Sequence, residues 1–418
     1  MDEKKLSWWT KIFVIGIIFS LSLLTIVTLI VEPGNTEVTL RFAHWAQPKR
    51  AWVVKLPGSM FEEEHPNIKI KYEYIPYTKY IEKSLTMLAA GTAPDLAIFT
   101  DYMAAIFARK GALLDITDTL PPEYTNDLVP AAKLIVTMNN KLIGVIPAVG
   151  IQGWLVNKDH LNAIGMEPPM SIENAWTWDK FLSVCGKLKN SGVVKYPVVL
   201  YSGMPIGSFF WLYENGGSIL NSDLSQAAIN SKESLEGLRF IKKLFDLKYA
   251  IPDPWVTTVR QEDLFSEGIV SMVQLGGPYI EWASENIGDK FDWSAMAHPK
   301  GKRFVTVGGA GTVWAAYQSA KHPKEAAEVL KFFARKEVVQ AYCQKGLEFP
   351  ALKSLLAPGV IEYPERYRDQ YELLASMVEY IPSHILREIT RANNWSKIDR
   401  LLRETRGELT LPETDVKQ

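Results

Sequence analysis

Apolar and polar positions along the first 120 residues follow two different periods. "TEVTLRFAHW", "NIKIKYEYI" and "APDLAIFT" alternate with period two or are almost wholly apolar, which predicts three strands, the first over 38–42. "YTKYIEKSLTMLAAG" and "DYMAAIFARKGALLDIT" have apolar residues at helical spacing, with Gly91 and Gly111 as their ends. A helix through "VVKLPGSMFEEEHP" is expected to bend or break at Pro57 and Gly58. Strands alternating with helices predict a doubly wound α/β sheet.

The pattern changes in the middle of the chain. "GVIPAVGIQGWLVN" predicts two short strands, 144–147 and Gln152–Asn157, as expected where a chain passes from one lobe to another. Thr177 and Ser231 then stand where N-caps are preferred, ahead of two amphipathic helices. Glycine interrupts the strands of "FVTVGGAGTVWAAY", and the remaining chain is helical with a break at Pro382 and a loose polar tail.

The predicted sheet has one edge at which a ligand is expected. In open α/β sheets, ligands bind beyond the carboxyl ends of the strands. His44 and Trp45 follow the first predicted strand, and Thr100 and Asp101 follow the third. Position, more than residue type, makes these four residues candidates.

The N-terminus carries a long apolar run, "IFVIGIIFSLSLLTIVTLIV", at 12–31. A helix of about 20 such residues crosses the hydrocarbon core of a bilayer. Lys4, Lys5 and Lys11 precede it, so the positive-inside rule puts the body outside the cytoplasm. We expect a signal-anchor, and a cleaved signal peptide is the alternative, although "VEPGNTE" offers no small-residue cleavage site and no lipobox cysteine is present.

Composition narrows the class of protein. The 418 residues are too many for one ordinary core, so two domains are expected. The balance of 46 basic against 47 acidic residues argues against electrostatic capture of nucleic acid. Cys185 and Cys343 are expected to be free thiols, and neither a CxxC motif nor a close histidine pair predicts a metal site. No cofactor is expected.

The order of these segments resembles a known family, the extracellular solute-binding proteins of sugar-import ABC transporters, a group that includes maltose-binding protein. The resemblance covers about 38–400 and rests on ordered short pieces: "LRFAHW", "FEEEHPNIKIKYEYIPYTKYIEKSLTMLAAGTAPDLAIFT", "ARKGALLDIT", "NNKLIGVIPAVGIQGWLVNKDHL", "TWDKFLSVCGKL", "FFWLYENGG", "DLFSEGIVSMVQLGGPY" and "GGAGTVWAAYQSAKHPKEAAEVLKFFARKEVVQAYCQKG". It implies a two-lobe flytrap fold, each lobe a doubly wound sheet flanked by helices and joined by hinge strands.

The resemblance also implies where the lobes begin and end. Crossings between lobes are expected near 147–152, near 302–307 and after Gly346. The C-terminal helices are expected to pack mainly on the second lobe. The implied division is 1–33 for the N-terminal segment, 37–148 plus 303–346 for the first lobe, 149–302 plus 347–408 for the second, and 409–418 for the tail.

A binding site in the cleft between the lobes follows from the same resemblance. "FFWLYENGG" matches a segment that ends at the cleft, where Trp211 would stack on the C–H face of a sugar and Glu214 or Asn215 would bind its hydroxyls. Trp211 is otherwise a core residue, as Phe209, Phe210 and Leu212 are expected to be. The remaining candidates, chosen by matching position, are Trp45, Thr100, Asp101, Gln152, Trp154, Gly277, Tyr279, Gly309 and Trp395.

The sequence alone is compatible with several functions. The resemblance implies a monomer that delivers a neutral carbohydrate to ABC permease subunits. An anchored sensory module, or a binder of a polyol or phosphate ester on the same fold, fits the sequence too, although a phosphate site would want several cations in the cleft. An enzyme is not expected, because the sequence has no G-x-S-x-G, Walker GK[ST] or H-E-x-x-H motif.

Overall fold

The computed structural model describes residues 37–200, 207, 209–252, 258–276, 279–306, 308, 311–412 and 414–416. The predicted membrane segment at 12–31 lies outside these residues. Within the described ranges, no helix is both long enough and apolar enough to cross a bilayer.

The strands among the described residues fall into two four-stranded sheets and two short ribbons. They are β1 (Val38–His44), β2 (Ile68–Tyr74), β3 (Leu96–Phe99), β4 (Thr137–Met138), β5 (Lys141–Leu142), β6 (Ala148–Val149), β7 (Gln152–Asn157), β8 (Val198–Val199), β9 (Met272–Gly276), β10 (Trp293–Met296), β11 (Val313–Ala316) and β12 (Phe349–Pro350).

The helices surround both sheets. They are α1 (Ala51–Glu64), α2 (Tyr77–Ala89), α3 (Asp101–Arg109), α4 (Pro122–Asp127), α5 (Pro130–Val136), α6 (Lys158–Asn162), α7 (Trp178–Asn190), α8 (Phe210–Glu214), α9 (Lys232–Asp246), α10 (Gln261–Ser266), α11 (Tyr279–Ile287), α12 (Pro323–Phe333), α13 (Lys336–Gly346), α14 (Arg368–Ser376), α15 (Ser383–Arg391) and α16 (Trp395–Leu409). Single 3-10 turns lie at Pro48–Arg50, Lys353–Leu355, Glu365–Tyr367 and Val378–Tyr380.

The first sheet has the order β11-β3-β1-β2. Strands β1, β2 and β3 run parallel, as the alternation of strands and helices predicts, and β11 pairs antiparallel with the outer side of β3. The carboxyl ends of β1 and β2 therefore meet at one edge, since His44 pairs with Tyr74 in the register. This is the edge at which a ligand is expected.

The second sheet has the order β10-β7-β9-β8 and is mixed. Strand β7 runs antiparallel to both β9 and β10, and only β8 runs parallel to β9. All six residues of β7 are buried, which explains why "QGWLVN" carries little polar alternation. The two-lobe α/β architecture is confirmed, with a mixed second sheet.

The predicted crossings lie side by side. Strand β6 on the first crossing pairs antiparallel with β12 on the third, and Ile151 forms an antiparallel bridge with Gly308 on the second. A Cβ on Gly308 would lie only 2.3 Å from Ile381 Cδ1, so glycine allows the C-terminal segment to pack on this hinge. This pairing supports the lobe boundaries given above, which remain our proposal.

Local starts and ends of helices follow the sequence signals. The hydroxyls of Thr177 and Ser231 accept from the backbone N–H groups three residues later, at 3.2 and 3.3 Å, which satisfies donors that the first helical turn leaves free. Gly91 and Gly111 end α2 and α3 with φ of 65° and 66°, a left-handed conformation that glycine adopts without strain.

Of the bend or break expected in α1, the break does not occur, because the helix continues through Pro57 and packs against β2, α12 and α13. The prediction of a strand at 144–147 is wrong. Residues 144–147 do not form a strand: Val145 makes one antiparallel bridge with Trp314, and β6 begins at Ala148. A Cβ on Gly144 would lie 2.6 Å from the Trp314 carbonyl oxygen, so glycine is needed for this close approach.

Helix α15 joins both lobes, whereas the C-terminal helices were expected to pack mainly on the second. Glu388 of α15 accepts a hydrogen bond from the Tyr213 hydroxyl and, at 2.6 Å, from the backbone N–H of Leu220, both in the second lobe. Two residues later in the same helix, the carbonyl of Thr390 accepts from Arg109 of α3 at 2.8 Å. The prediction missed this because α15 buries residues on both sides.

Candidate functional site

A cleft of about 920 Å³ lies at the edge where β1 and β2 end. The first lobe contributes residues after β1, the start of α1 and the β2–α2 connection. Helix α11 of the second lobe faces them, and the end of α13 closes one side. The cleft therefore lies between the lobes, at the carboxyl ends of two parallel strands.

Four rings from the first lobe line this cleft, and we call them the cleft aromatics: Trp45, Trp52, Tyr74 and Tyr77. The exposed fractions are 52% for Trp52, 48% for Tyr74 and 54% for Tyr77, which is unusual for large rings on a folded protein. Trp45 is held edge-on against Tyr77 and Tyr80, with ring centroids 5.7 and 4.8 Å apart. These rings offer apolar faces to a ligand at little cost in conformational entropy.

Charged groups of both signs surround the cleft aromatics. Lys49, Arg50 and Lys345 carry positive charge, and Glu281, Glu285 and Glu348 carry negative charge. The cations and carboxylates that line the cleft are thus equal in number. The cleft supplies many hydrogen-bonding groups without a net field of either sign.

Thr100 and Asp101 lie at the start of α3, close to the cleft. The Thr100 hydroxyl caps α3 by accepting from the Met103 N–H at 3.2 Å, and Asp101 accepts from the Tyr102 N–H at 2.7 Å. Burial raises the pKa of Tyr77, and the nearby Asp101 carboxylate raises it further. Both residues are buried, so their first role in this conformation is structural.

Gln152 lies at the hinge and connects both lobes. Its carbonyl accepts from the ring of His298 at 2.7 Å and from the Thr306 hydroxyl at 3.1 Å, and its side-chain oxygen accepts from Gln274 at 3.2 Å. Burial lowers the pKa of His298 to about 4, although the bond to the Gln152 carbonyl acts in the opposite direction. The imidazole is therefore neutral near pH 7 and accepts from the Trp154 indole N–H at 3.1 Å.

The second lobe contains a contrasting set of rings, which we call the core aromatics: Trp154, Trp178, Phe181, Phe210, Trp211 and Phe240. Trp211 is fully buried, with ring centroids 4.3 Å from Phe210 and 4.7 Å from Phe240. A ring with no exposed surface offers no face to a sugar. The predicted stacking role of Trp211 is thus corrected to core packing, and Trp154, a cleft candidate by position, is likewise buried in the core.

Glu214 is buried beside these rings and does not reach the cleft. Its Oε2 accepts from the Trp178 indole N–H at 2.6 Å, while Oε1 has no partner within the described residues. Burial raises the pKa of the Glu214 carboxyl well above its usual range, although the Trp178 hydrogen bond lowers it. The predicted hydroxyl-binding role is corrected to a buried carboxyl group that accepts from Trp178.

The remaining candidates divide into three groups. The Asn215 amide donates to the Glu233 carbonyl at 2.8 Å and to Glu236 Oε2 at 2.7 Å, so it connects α8 to α9. Trp395 is buried at the start of α16. Both are structural rather than ligand-facing. Tyr279 is half-buried on α11 beside Trp282 of the cleft. Gly277 and Gly309 lie outside the described residues.

Sequence reasoning missed Trp52, Tyr74, Tyr77 and Trp282. Tyr74 obeys the same strand-end rule that identified Trp45, because it is the last residue of β2. Tyr77 begins the next helix three residues later, so "YEYIPY" carried a usable signal. Trp52 follows the carboxyl end of β1 after one 3-10 turn.

Metal binding has no support among the described residues, where no group of three or more His, Cys, Asp and Glu side chains could hold an ion.

Comparison with known proteins identifies similar chains. The profile of a family described as "Bacterial extracellular solute-binding protein" matches residues 58–367. A galactooligosaccharide-binding protein of Bacillus subtilis is 24% identical over 336 residues, covering 78% of this chain and 76% of the relative. An ABC transporter extracellular-binding protein of Pyrococcus horikoshii is 26% identical over 290 residues, covering 66% of this chain and 63% of the relative.

Solved structures show the same fold. The GacH receptor of Streptomyces glaucescens, studied unliganded and with acarbose, has a TM-score of 0.74 at 20% identity, covering 91% of this chain and 95% of that one. An ABC substrate-binding protein of Listeria monocytogenes in complex with cycloalternan also has a TM-score of 0.74 at 20% identity, with the same coverage.

Proposed function

Because the chain belongs to the bacterial extracellular solute-binding protein family, we propose that it binds a neutral carbohydrate between its lobes and presents it to an ABC permease. The family is one of binding proteins that act outside the cytoplasm, so the chain binds its ligand without transforming it. The carbohydrate, the permease partner and the monomeric state are our inferences.

The observation that carries the proposal is the exposure of the cleft aromatics opposite a polar helix. A sugar ring has an apolar C–H face and a rim of hydroxyls, so it needs a ring to stack on and hydrogen-bonding groups beside it. Trp52 and Tyr77 are more than half exposed, and α11 brings Glu281 and Glu285 to the opposite wall. Relatives whose names include galactooligosaccharide and maltotriose support the same ligand class.

Size and charge refine the ligand class. The cleft volume of about 920 Å³ lies at the upper end of the range for small-molecule pockets, which favours an oligosaccharide over a single ring. A phosphate ester would require a net excess of cations. Lys49, Arg50 and Lys345 are present but are balanced by three carboxylates, so a neutral ligand is favoured.

A thermal-shift screen against neutral oligosaccharides, followed by calorimetric titration, tests the proposal. A ligand that binds only the folded state stabilises it by about 2.7 kcal/mol at a hundredfold excess over Kd. We expect at least one neutral oligosaccharide to raise the melting temperature and to be recovered unchanged by chromatography. A response confined to phosphorylated or acidic compounds would overturn the neutral-sugar proposal.

Attachment to the membrane is a separate proposal that rests on the sequence of 12–31. We infer that this segment stays on the protein as a signal-anchor, with a cleaved signal as the alternative. Intact-mass measurement of the protein from membrane fractions distinguishes the two. A mature N-terminus between residues 31 and 38 would overturn the anchor.

A further inference from the structure

Arg50 connects three separate parts of the chain. It ends the 3-10 turn between β1 and α1, and its guanidinium contacts Glu281 on the opposite wall of the cleft. Its Nη1 donates to Glu281 Oε2 at 3.0 Å, and its Nη2 donates to the Gly346 carbonyl at 2.6 Å and to Glu348 Oε1 at 3.1 Å. Glu281 belongs to α11 of the second lobe, whereas Gly346 and Glu348 lie where the third crossing begins.

The two nitrogens of this guanidinium bind partners that belong to different parts of the protein. Helix α13 packs against α1, so Gly346 at its end is held beside Arg50 by the first lobe, and Glu348 follows it at the start of the third crossing. The Glu281 side chain is 49% exposed and is carried by the lobe that must move away when the cleft opens. Arg50 is therefore anchored by one nitrogen and offers the other to the second lobe.

The charges facing Arg50 favour this pairing. Lys49 and Lys345 lie on its own side of the cleft, and α11 presents Glu281 and, one turn later, Glu285. Of these two carboxylates, only Glu281 bonds to Arg50 among the contacts of the described residues. Glu285 thus provides a matched control on the same helix and in the same cleft.

We propose that Arg50 is a positioning residue for lobe closure, through a bond to Glu281 that exists only when the lobes are closed. The proposal rests on ligand binding in the cleft, as inferred above. Apparent affinity equals the intrinsic affinity multiplied by the fraction of protein in the binding-competent state. A bond that raises the closed fraction of the empty protein therefore tightens binding of any sugar that leaves the bond intact.

The test compares Glu281→Gln and Glu281→Lys with Glu285→Gln and Glu285→Lys. Spin labels or fluorophores on each lobe measure the interlobe distance in the empty protein. We expect that distance to lengthen in Glu281→Gln and further in Glu281→Lys, where two cations face each other, and to stay unchanged in both Glu285 variants. Raising salt should open the wild type in the same direction, because an exposed pair is screened, and should leave Glu281→Gln unaffected.

Titration with the oligosaccharide found in the screen gives the second readout. We expect Kd to rise about two- to fivefold in Glu281→Gln, the range for an exposed ion pair, chiefly through faster dissociation. An unchanged interlobe distance in Glu281→Lys, or tighter sugar binding in Glu281→Gln, would overturn the proposal. The interlobe distance is measured without ligand, so it tests the role of Arg50 even if the wild type binds no neutral sugar. Absence of sugar binding would contradict the proposed function alone.

Discussion

The cleft aromatics and the core aromatics have similar composition and opposite roles. Trp52 and Tyr77 expose more than half of their surface at the ends of the first sheet, whereas Trp211 exposes none. In the sequence, "FFWLYENGG" looks the richer candidate, since it places aromatic, carboxylate and amide groups within nine residues. The comparison shows that position relative to strand ends identifies an exposed ring in the cleft better than the local density of rings does.

The physical reason lies in how α8 packs. A Cβ on Gly237 would lie 2.8 Å from Leu212 Cα, so glycine allows α9 to approach the backbone of α8. This close contact turns Trp211 inward, where the rings of Phe210 and Phe240 cover it. Tyr74 and Tyr77, by contrast, flank the end of β2 and keep about half of their surface exposed.

The largest expected effect comes from Trp211→Ala. Removing this fully buried ring opens a cavity and should lower the free energy of unfolding by about 3–5 kcal/mol. Urea unfolding measures the loss, and calorimetric titration of the remaining folded protein should show near-normal sugar affinity. Normal stability with weak sugar binding would show that Trp211 contacts the ligand, so that the two sets of rings would not differ in role.

Trp52→Ala should produce the opposite pattern. The ring is 52% exposed, so little core is lost, and stability should change by no more than about 0.5 kcal/mol. Loss of a stacking ring costs roughly 2 kcal/mol or more of binding, which is over tenfold in Kd. A variant that binds sugar normally in the same two assays would show that this exposed ring serves another purpose.

Thr100→Ala sharpens the comparison at the edge of the cleft. Loss of the cap should cost about 1 kcal/mol of stability. Thr177→Ala is a control for the loss of a cap alone, because Thr177 caps α7 with the same 3.2 Å geometry and is exposed, whereas Thr100 is buried. Both variants should lose the cap, with a larger loss of stability at the buried Thr100, and a loss of sugar affinity in Thr100→Ala alone would assign Thr100 a ligand contact as well. Equal affinities would leave it purely structural.

Glu214→Gln, beside the core aromatics, is the last change considered, and its effect on stability should be smallest at acid pH. Burial raises the pKa of Glu214 in the folded state above its unfolded value, so the folded state binds more protons between the two values. Its contribution to stability is therefore full below the unfolded pKa, about 4.3, and declines as pH rises towards the folded pKa.

Gln keeps the shape and an acceptor for the Trp178 indole without titrating. The free energy of unfolding of Glu214→Gln, measured by urea titration from pH 4 to 8, should thus fall less with rising pH than that of the wild type. Parallel pH profiles would mean that Glu214 is not protonated in the folded protein.

The sequence was most informative where backbone geometry dictates the residue. Gly91 and Gly111 end helices, and Thr177 and Ser231 begin them, because local hydrogen bonds and φ angles set those choices. The strand-end rule places Trp45 at the edge where β1 and β2 end, and Trp45 lines the described cleft. The burial of Trp211 and Glu214 and the partner of Arg50 depend on elements far away in sequence, which no local pattern encodes.

The antiparallel strand β11 has a consequence for how the chain is made. It completes the first sheet by pairing with β3, and the intervening chain builds most of the second lobe. Roughly 200 residues separate the two strands, so at about 5–20 residues per second a ribosome delivers β11 roughly 10–40 s after β3. Throughout that interval β3 has an unpaired outer edge, and loop closure over such a distance is slow. The first lobe therefore stays incomplete until about three quarters of the chain has been synthesised.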